Sequence, residues 1–154
     1  MESKKVKEFK IQINVSDSHT DIQTKQAVNS SVLSTGNWYK IGVNVDGVHK
    51  ITYNDLQSLG IDVVNIDPDK IQLFGRPGGM LPLLNNEERV EDLQELAIQV
   101  EGGSDGQFNN NDKVVFYGQS PHQWEHDSIS GLFKHQVHYF SDFTYYFLRL
   151  NHEE

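Results

Sequence analysis

The chain has 154 residues, about the size of one domain, and carries 13 Lys plus Arg against 22 Asp plus Glu, for a net charge of −9. This acidic balance argues against nucleic-acid and membrane-surface binding, because phosphate backbones and anionic headgroups repel such a surface. The complete absence of cysteine excludes a thiol nucleophile, a thiolate metal site and any disulfide within this chain.

The first predicted element is a strand over residues 9–15. Phe9, Ile11 and Ile13 alternate with polar residues there, and a period of two is typical of a half-buried strand. Residues 16–35 follow with many Ser, Thr, Asp, Asn and Gln and no period, which predicts a long connection or linker.

A β-hairpin is predicted next, over residues 38–53. Two β-rich runs, WYKIGVNV and VHKITY, are separated by Asp46 and Gly47. Asp-Gly between such runs is typical of a type I′ turn, because that turn needs positive φ at both central residues.

One short helix is predicted over residues 54–60. Asn54 is its expected N-cap, Asp55 faces the positive helix end, and Gly60 supplies a left-handed stop.

Further strands are predicted over residues 70–74, 95–100, 114–117, 133–139 and 143–150. Together they give about eight strands and no helix long enough for a parallel crossover. The sequence therefore predicts an all-β fold, an antiparallel, jelly-roll-like β-sandwich with one short helix near residues 54–60.

The acidic loop from Asp105 to Asp112 has the oxygen-rich composition of a calcium site. Its spacing does not match an EF-hand loop, and Asx turns explain such a composition equally well. The turn interpretation is favoured, and calcium there stays the less favoured alternative.

Histidines invite a metal interpretation at two places. His135 and His138 lie three apart in a predicted strand and so fall on opposite faces, which argues against shared ligation. His122 and His126 flank Trp124 in what reads as a polar loop, and no structural-zinc spacing is met. These histidines are interpreted as surface residues.

Two further features have alternative interpretations. The glycine-rich loop at residues 75–79 lacks the pattern of a phosphate loop, so Arg76 is interpreted as a solvated arginine at a turn. The aromatic residues could form a carbohydrate-stacking platform, but in strands they more often pack between sheets. This cluster comprises Tyr139, Phe140, Phe143, Tyr145, Tyr146 and Phe147. No residue is assigned as catalytic, cofactor-binding or metal-binding, because no activated nucleophile or paired carboxylates can be identified.

Four segments in order resemble the N-terminal region of PorU-type proteins. The segments are TGNWYKIGVNVDGVHKITYNDLQSLGI (residues 35–61), IDPDKIQLFGRPGGMLP (66–82), DLQELAIQVEGGSDGQFNNNDKVVFYGQSPHQW (92–124) and HYFSDFTYYFL (138–148). These proteins are gingipain-type cysteine peptidases that serve as the cell-surface sortase of the type IX secretion system. The ordered series is more specific than any one segment.

The resemblance implies a non-catalytic N-terminal β-domain, prodomain-like or structural, of a larger extracytoplasmic peptidase at the cell surface or outer membrane. The domain would comprise residues 32–150. A leading strand and polar linker (1–31) would precede it, and residues 151–154 would be the end of an excised fragment. Its expected partners are the downstream peptidase domain and other secretion-system components, with no nucleic acid and no membrane insertion. For a prodomain, Arg76 and Arg89 are the first candidates to enter a specificity pocket.

An independent function remains open as an alternative. A β-sandwich of this kind could act as a binding module for glycans, with calcium in its loops. In either interpretation this chain is not itself an enzyme, although the parent protein would be a cysteine peptidase.

Overall fold

A computed structural model describes residues 30–84 and 86–150. Over these residues the chain forms nine strands, one α-helix and three short 3-10 turns. The strands are β1 (Trp38–Val43), β2 (Gly47–Thr52), β3 (Gln72–Gly75), β4 (Gln94–Leu96), β5 (Ile98–Glu101), β6 (Lys113–Gly118), β7 (Gln123–Asp127), β8 (Leu132–Gln136) and β9 (Thr144–Arg149), and the helix is α1 (Tyr53–Ser58). The strand predicted over residues 9–15 and the predicted domain end at residues 151–154 lie outside the described residues.

The strands form two larger antiparallel sheets and one separate two-stranded sheet. The first sheet has the order β1-β9-β3-β4, and the second has the order β2-β6-β5. The remaining pair, β7 and β8, is bonded to neither. The predicted all-β sandwich with one short helix is confirmed. No helix of the described chain is long and apolar enough to cross a membrane.

The core lies between the inner faces of the two larger sheets. Tyr146 and Leu148 of β9 are buried on the first sheet, and Val114 and Phe116 of β6 are buried on the second. The rings of Phe116 and Tyr146 meet with 5.5 Å between their centres. Helix α1 adds the fully buried Leu56 to the same core.

The predicted hairpin over residues 38–53 is wrong. β1 pairs with β9 and β2 pairs with β6, so the two runs belong to opposite sheets. The Asp46 carboxylate accepts a hydrogen bond from the Ser120 backbone N–H at 2.6 Å, and Gly47 is already paired with Gly118. The chain therefore crosses between sheets at residues 44–46.

The prediction of one strand over residues 95–100 is also wrong, because the structure has two strands there, β4 and β5. β4 pairs with β3 in the first sheet, and β5 pairs with β6 in the second. Only Ala97 separates β4 from β5, and there the chain crosses the core again.

Helix α1 begins earlier than predicted. Thr52, not Asn54, is the N-cap: its hydroxyl accepts from the Asp55 backbone N–H, and the Asp55 carboxylate accepts from the Thr52 backbone N–H at 2.8 Å. This reciprocal pair is a capping box. The predicted stop is confirmed, because Gly60 has a φ of +79°.

Candidate interaction surface

The segment from Gln123 to Gln136, here called the arm, is a β-hairpin that stands apart from both larger sheets. Its strands pair from Gln123 with Gln136 at the foot to Asp127 with Leu132 at the tip. Among the described residues no further strand joins this pair. The interpretation of residues 120–126 as a loop is therefore wrong for residues 123–126, which lie in β7, and holds for residues 120–122.

Local hydrogen bonds at Asp127 fix the turn of the arm. Its Oδ1 accepts from the backbone N–H groups of Ile129 and Ser130, and its Oδ2 receives the Lys134 ammonium at 2.7 Å. Gly131, with a φ of +68°, closes the turn. The Lys134 contact, followed by the backbone N–H of Ile129, lowers the pKa of Asp127 from 3.8 to about 2.

The two faces of the arm differ in chemistry. On one face the Trp124 ring lies against His135 with 4.7 Å between centres, and His126 lies against Phe133 at 5.1 Å. On the opposite face the Glu125 carboxylate accepts from the Gln136 side chain. Cross-strand partners share a face of a hairpin, so the aromatic residues form one continuous surface.

This aromatic face is open to solvent. Trp124 is 67% exposed and Phe133 is 68% exposed, and Ile129 at the tip is 98% exposed. A two-stranded hairpin alone is marginally stable in water, and contiguous exposed apolar surface is typical of interaction sites. The arm therefore presents a surface suited to contact with another polypeptide.

Histidines join the arm to the body of the domain. The Nδ1 atom of His122 accepts from the His138 backbone N–H at 3.0 Å, and the His122 ring lies 6.1 Å from the His135 ring. The imidazole of His122 also lies 3.9 Å from the Asp142 carboxylate. His138 itself lies beyond the end of β8, so the predicted alternation over 133–139 ends early.

Next to the foot of the arm lies a cavity of about 370 Å³, here called the Arg76 cavity. It is lined by Arg76, Gly79, Met80, Leu81, Pro82, Leu83, His138 and Phe140. The glycine loop reaches this position because Gly78 donates its N–H to the Gln119 side chain at 3.2 Å. Arg76 is half-buried and its Nε is shielded from water, so the interpretation as a solvated turn arginine is wrong.

Arg89, the second arginine singled out from the sequence, lies elsewhere. Its Nη2 donates to the Leu84 carbonyl at 3.5 Å, and it lines a separate cavity with residues 88–94. The structure therefore does not bring Arg76 and Arg89 to one cavity.

The acidic loop at residues 105–112 has the local bonding of Asx turns. Asp105 accepts from the Gln107 N–H at 3.0 Å, and the buried Asp112 accepts from the Asn109 N–H at 2.7 Å. Among the described residues no group of three or more His, Asp or Glu side chains is placed to hold a metal ion.

The aromatic cluster divides between core and surface. Tyr146 is buried between the sheets, as the packing interpretation predicts, whereas Tyr139 and Phe140 are largely exposed. Phe140 contacts both neighbouring rings, His138 at 6.2 Å and Tyr139 at 6.4 Å. Exposed aromatic residues therefore also lie at the rim of the Arg76 cavity.

The sequence contains a pattern that is typical of the arm. Four residues, 128–131, connect Asp127 at the end of β7 to Leu132 at the start of β8, and Trp124, His126, Phe133 and His135 alternate with polar residues on either side. Gly in such a connection between alternating runs is typical of a longer hairpin turn. The polar composition of residues 120–130 favoured a loop instead.

Comparison with solved structures identifies a similar chain, described as the crystal structure of dimeric latent PorU from Porphyromonas gingivalis. The likeness has 27% sequence identity and a TM-score of 0.61 over 80% of this chain. This chain shares its fold with part of PorU. It spans 10% of the PorU chain's length. No family model and no curated protein matches.

Proposed function

We propose that this chain is a non-catalytic, N-terminal domain of a longer, gingipain-like cysteine peptidase of the type IX secretion system. The likeness to PorU at 27% identity over 80% of the chain carries the proposal. The four sequence segments that resemble PorU-type proteins also support it. The location that follows is extracytoplasmic, at the cell surface or outer membrane.

The absence of cysteine supports the non-catalytic part of the proposal. A cysteine peptidase requires a thiolate nucleophile, and this chain has none. The nucleophile of the longer protein would therefore lie on other polypeptide, and this domain would act by contact.

We assign that contact to the aromatic face of the arm, with the downstream peptidase domain as its partner. Trp124 and Phe133 supply large apolar area at the centre of the face, and aromatic residues dominate the energetics of protein interfaces. PorU has roughly nine times as much chain outside the matched part as within it, which leaves ample polypeptide to cover the arm.

The test compares this chain alone with the longer protein encoded by its gene. Hydrogen exchange of residues 123–136 is expected to slow in the longer protein, because the peptidase domain covers the aromatic face. Trp124→Ala combined with Phe133→Ala is expected to restore fast exchange. A matched control, Val48→Ala combined with Tyr117→Ala, removes exposed apolar groups that pair across β2 and β6, and should leave the protection intact.

Two results would contradict the proposal. A reading frame that encodes no peptidase domain would remove the function itself. An arm that exchanges equally fast in both forms would remove the assigned contact but leave the domain assignment standing.

The exposed rings also favour a second candidate, a glycan-binding module. Trp124 is 67% exposed and Tyr139 is 73% exposed, and sugar rings can pack on exposed aromatic rings. Retention on polysaccharide columns that Trp124→Ala abolishes would favour this candidate over a domain contact.

A further inference from the structure

Two arginines of the described chain keep a buried Nε atom without a hydrogen-bond partner, Arg76 and Arg149. Arg149 has compensating neighbours: its guanidinium lies 5.5 Å from the centre of the Trp38 ring, and it shares a cavity with Asp62. Arg76 makes no ion pair, hydrogen bond or cation–π contact with the described residues. Its cavity contains no Asp or Glu among its lining residues.

An arginine whose Nε is buried without an acceptor favours an anion as its partner. Arginine cannot be neutralised, and its planar fork matches two oxygens of a carboxylate. In a protein of net charge −9, acidic side chains that could pair with Arg76 are plentiful, yet none lines this cavity.

His138 adds a second donor to the same cavity. Its Nδ1 accepts from the backbone N–H groups of Phe140 at 3.2 Å and Ser141 at 3.0 Å. A nitrogen that accepts carries no proton, so in the neutral ring the proton is on Nε2. The ring is therefore held in the form that can donate through Nε2.

Apolar groups form the rest of the cavity wall. Met80, Leu81, Pro82 and Leu83 lie on one chain segment, and Phe140 supplies a ring that is 85% exposed. A cavity of about 370 Å³ that combines an apolar wall with a few polar groups is typical of sites for small ligands or single side chains.

We propose that the Arg76 cavity binds a carboxylate that is attached to an apolar group. The guanidinium of Arg76 pairs with the carboxylate oxygens, and Nε2 of His138 is a further donor in the cavity. The apolar wall packs against the attached group. The site is independent of the proposed function, because it depends only on this chain. The carboxylate can come from a free organic acid or from an acidic side chain within a peptide.

The experiment uses the two methionines of the chain, Met1 and Met80, as methyl probes. In protein labelled with ¹³C at the methionine methyls, Met80→Leu assigns the two signals. The probes are 3-phenylpropanoate for the free acid and the capped peptide Leu-Phe-Glu-Leu for the side chain. Their neutral counterparts are 3-phenylpropanamide and the same peptide with Gln.

A carboxylate probe is expected to shift the Met80 signal in a saturable way, and its amide counterpart should bind roughly tenfold to a hundredfold more weakly. Arg76→Gln should abolish the preference for the acid. Arg76→Lys keeps the positive charge but lacks the planar guanidinium fork, so it should lose part of the preference for the acid. This second variant keeps the proposal testable if Arg76→Gln does not fold. The matched control, Arg89→Gln, removes an arginine outside the cavity and should bind like the unsubstituted protein.

The pattern across the probes identifies the source. Saturation by the peptide alone assigns a protein ligand, saturation by 3-phenylpropanoate alone assigns a small acid, and saturation by both supports the shared chemistry. Equal binding of acids and amides, no binding of either acid, or unchanged binding in Arg76→Gln would each overturn the proposal.

Discussion

At the scale of single residues, Tyr146 links the first sheet to the second sheet and to the segment that leads into the arm. Its ring packs against Phe116 across the core and lies so close to Gly75 that an added methyl group would come within 2.5 Å of it. Its hydroxyl oxygen accepts the Gln119 N–H at 2.8 Å. Burial raises the pKa of this phenol, so the hydroxyl stays neutral in the folded protein. One side chain thus fixes both the sheet spacing and the segment that leads into the arm.

Tyr146→Phe is expected to lower the free energy of unfolding by about 1–2 kcal/mol. The substitution keeps the ring but leaves the partly buried Gln119 N–H without its acceptor, which costs roughly this amount. Urea unfolding followed by circular dichroism measures the change. Tyr145→Phe is the matched control, because Tyr145 lies on the outer face of the same strand, and should change stability little. Equal effects of the two substitutions would contradict the assigned role.

The capping box at Thr52 and Asp55 gives a prediction with a pH dependence. Thr52→Ala is expected to cost about 1 kcal/mol of stability, a typical value for an N-cap. Hydrogen bonds from the Thr52 side chain and backbone lower the pKa of Asp55 below its usual 3.8. Its contribution is therefore fully present above pH 3.8 and is lost as the pH falls below that value.

Asn54→Ala provides the control for the cap. The sequence predicts Asn54 as the N-cap, but it lies inside the helix, so alanine should be neutral or slightly stabilising there. Thermal unfolding of Thr52→Ala and Asn54→Ala at pH 7 and pH 3 distinguishes Thr52 from Asn54 as the N-cap. A larger loss of stability for Asn54→Ala than for Thr52→Ala would assign the N-cap to Asn54, as the sequence predicts.

At the scale of elements, hydrophobic alternation predicts where strands lie but not which strands pair with each other. Inner-facing positions continue with the same parity from Ile41 and Val43 in β1 to Ile51 in β2, and from Leu96 in β4 to Ile98 in β5. Both sheets face one core, so a strand that crosses between them keeps its hydrophobic period. The sequence thus predicted the sandwich and missed both crossings.

The candidate sites were less accessible to sequence reasoning. The sequence draws attention to Arg76 through its glycine loop, but that loop is held by the bond from Gly78 to Gln119, and the cavity of Arg76 includes His138, which lies 62 positions further along. Such contacts leave no local pattern. The arm did leave one, since Asp127 and Gly131 bound its turn, but local polarity concealed it.

The turn of the arm gives the next prediction. The pKa of Asp127 is lowered to about 2 from 3.8, so its stabilisation of the turn is present above pH 3.8 and disappears as the pH falls through 2. The Ile129 and Ser130 amide signals in NMR spectra are expected to move towards unstructured values over this interval. In Asp127→Asn, which cannot ionise, they should not show this titration.

Glu125→Gln is the matched control for the turn. Glu125 lies on the same polar face of the arm but contacts the Gln136 side chain instead of the turn amides. Its replacement should leave the titration of Ile129 and Ser130 unchanged. If the titration disappears in Glu125→Gln, the effect belongs to Glu125, and the role assigned to Asp127 is contradicted.

At the scale of the whole molecule, the arm and the sandwich are separate in their bonding. The buried core cluster contains members of β1, β2, β3, β6, β9 and α1 but no residue between Gln123 and Gln136. The backbone pairs of the arm are internal. Stability should therefore reside in the sandwich, and the arm should add surface for contact rather than free energy of folding.

Replacement of residues 124–135 by a short Gly-Ser turn tests this separation. The shortened protein is expected to unfold in one calorimetric transition, with a midpoint within roughly 3 °C of the original, because no core contact is removed. Val114→Ala, which trims a fully buried side chain of β6, should by contrast cost about 2 kcal/mol. If removal of the arm destabilises the domain as much as Val114→Ala does, its exposed rings contribute to folding, and their exposure no longer argues for a partner.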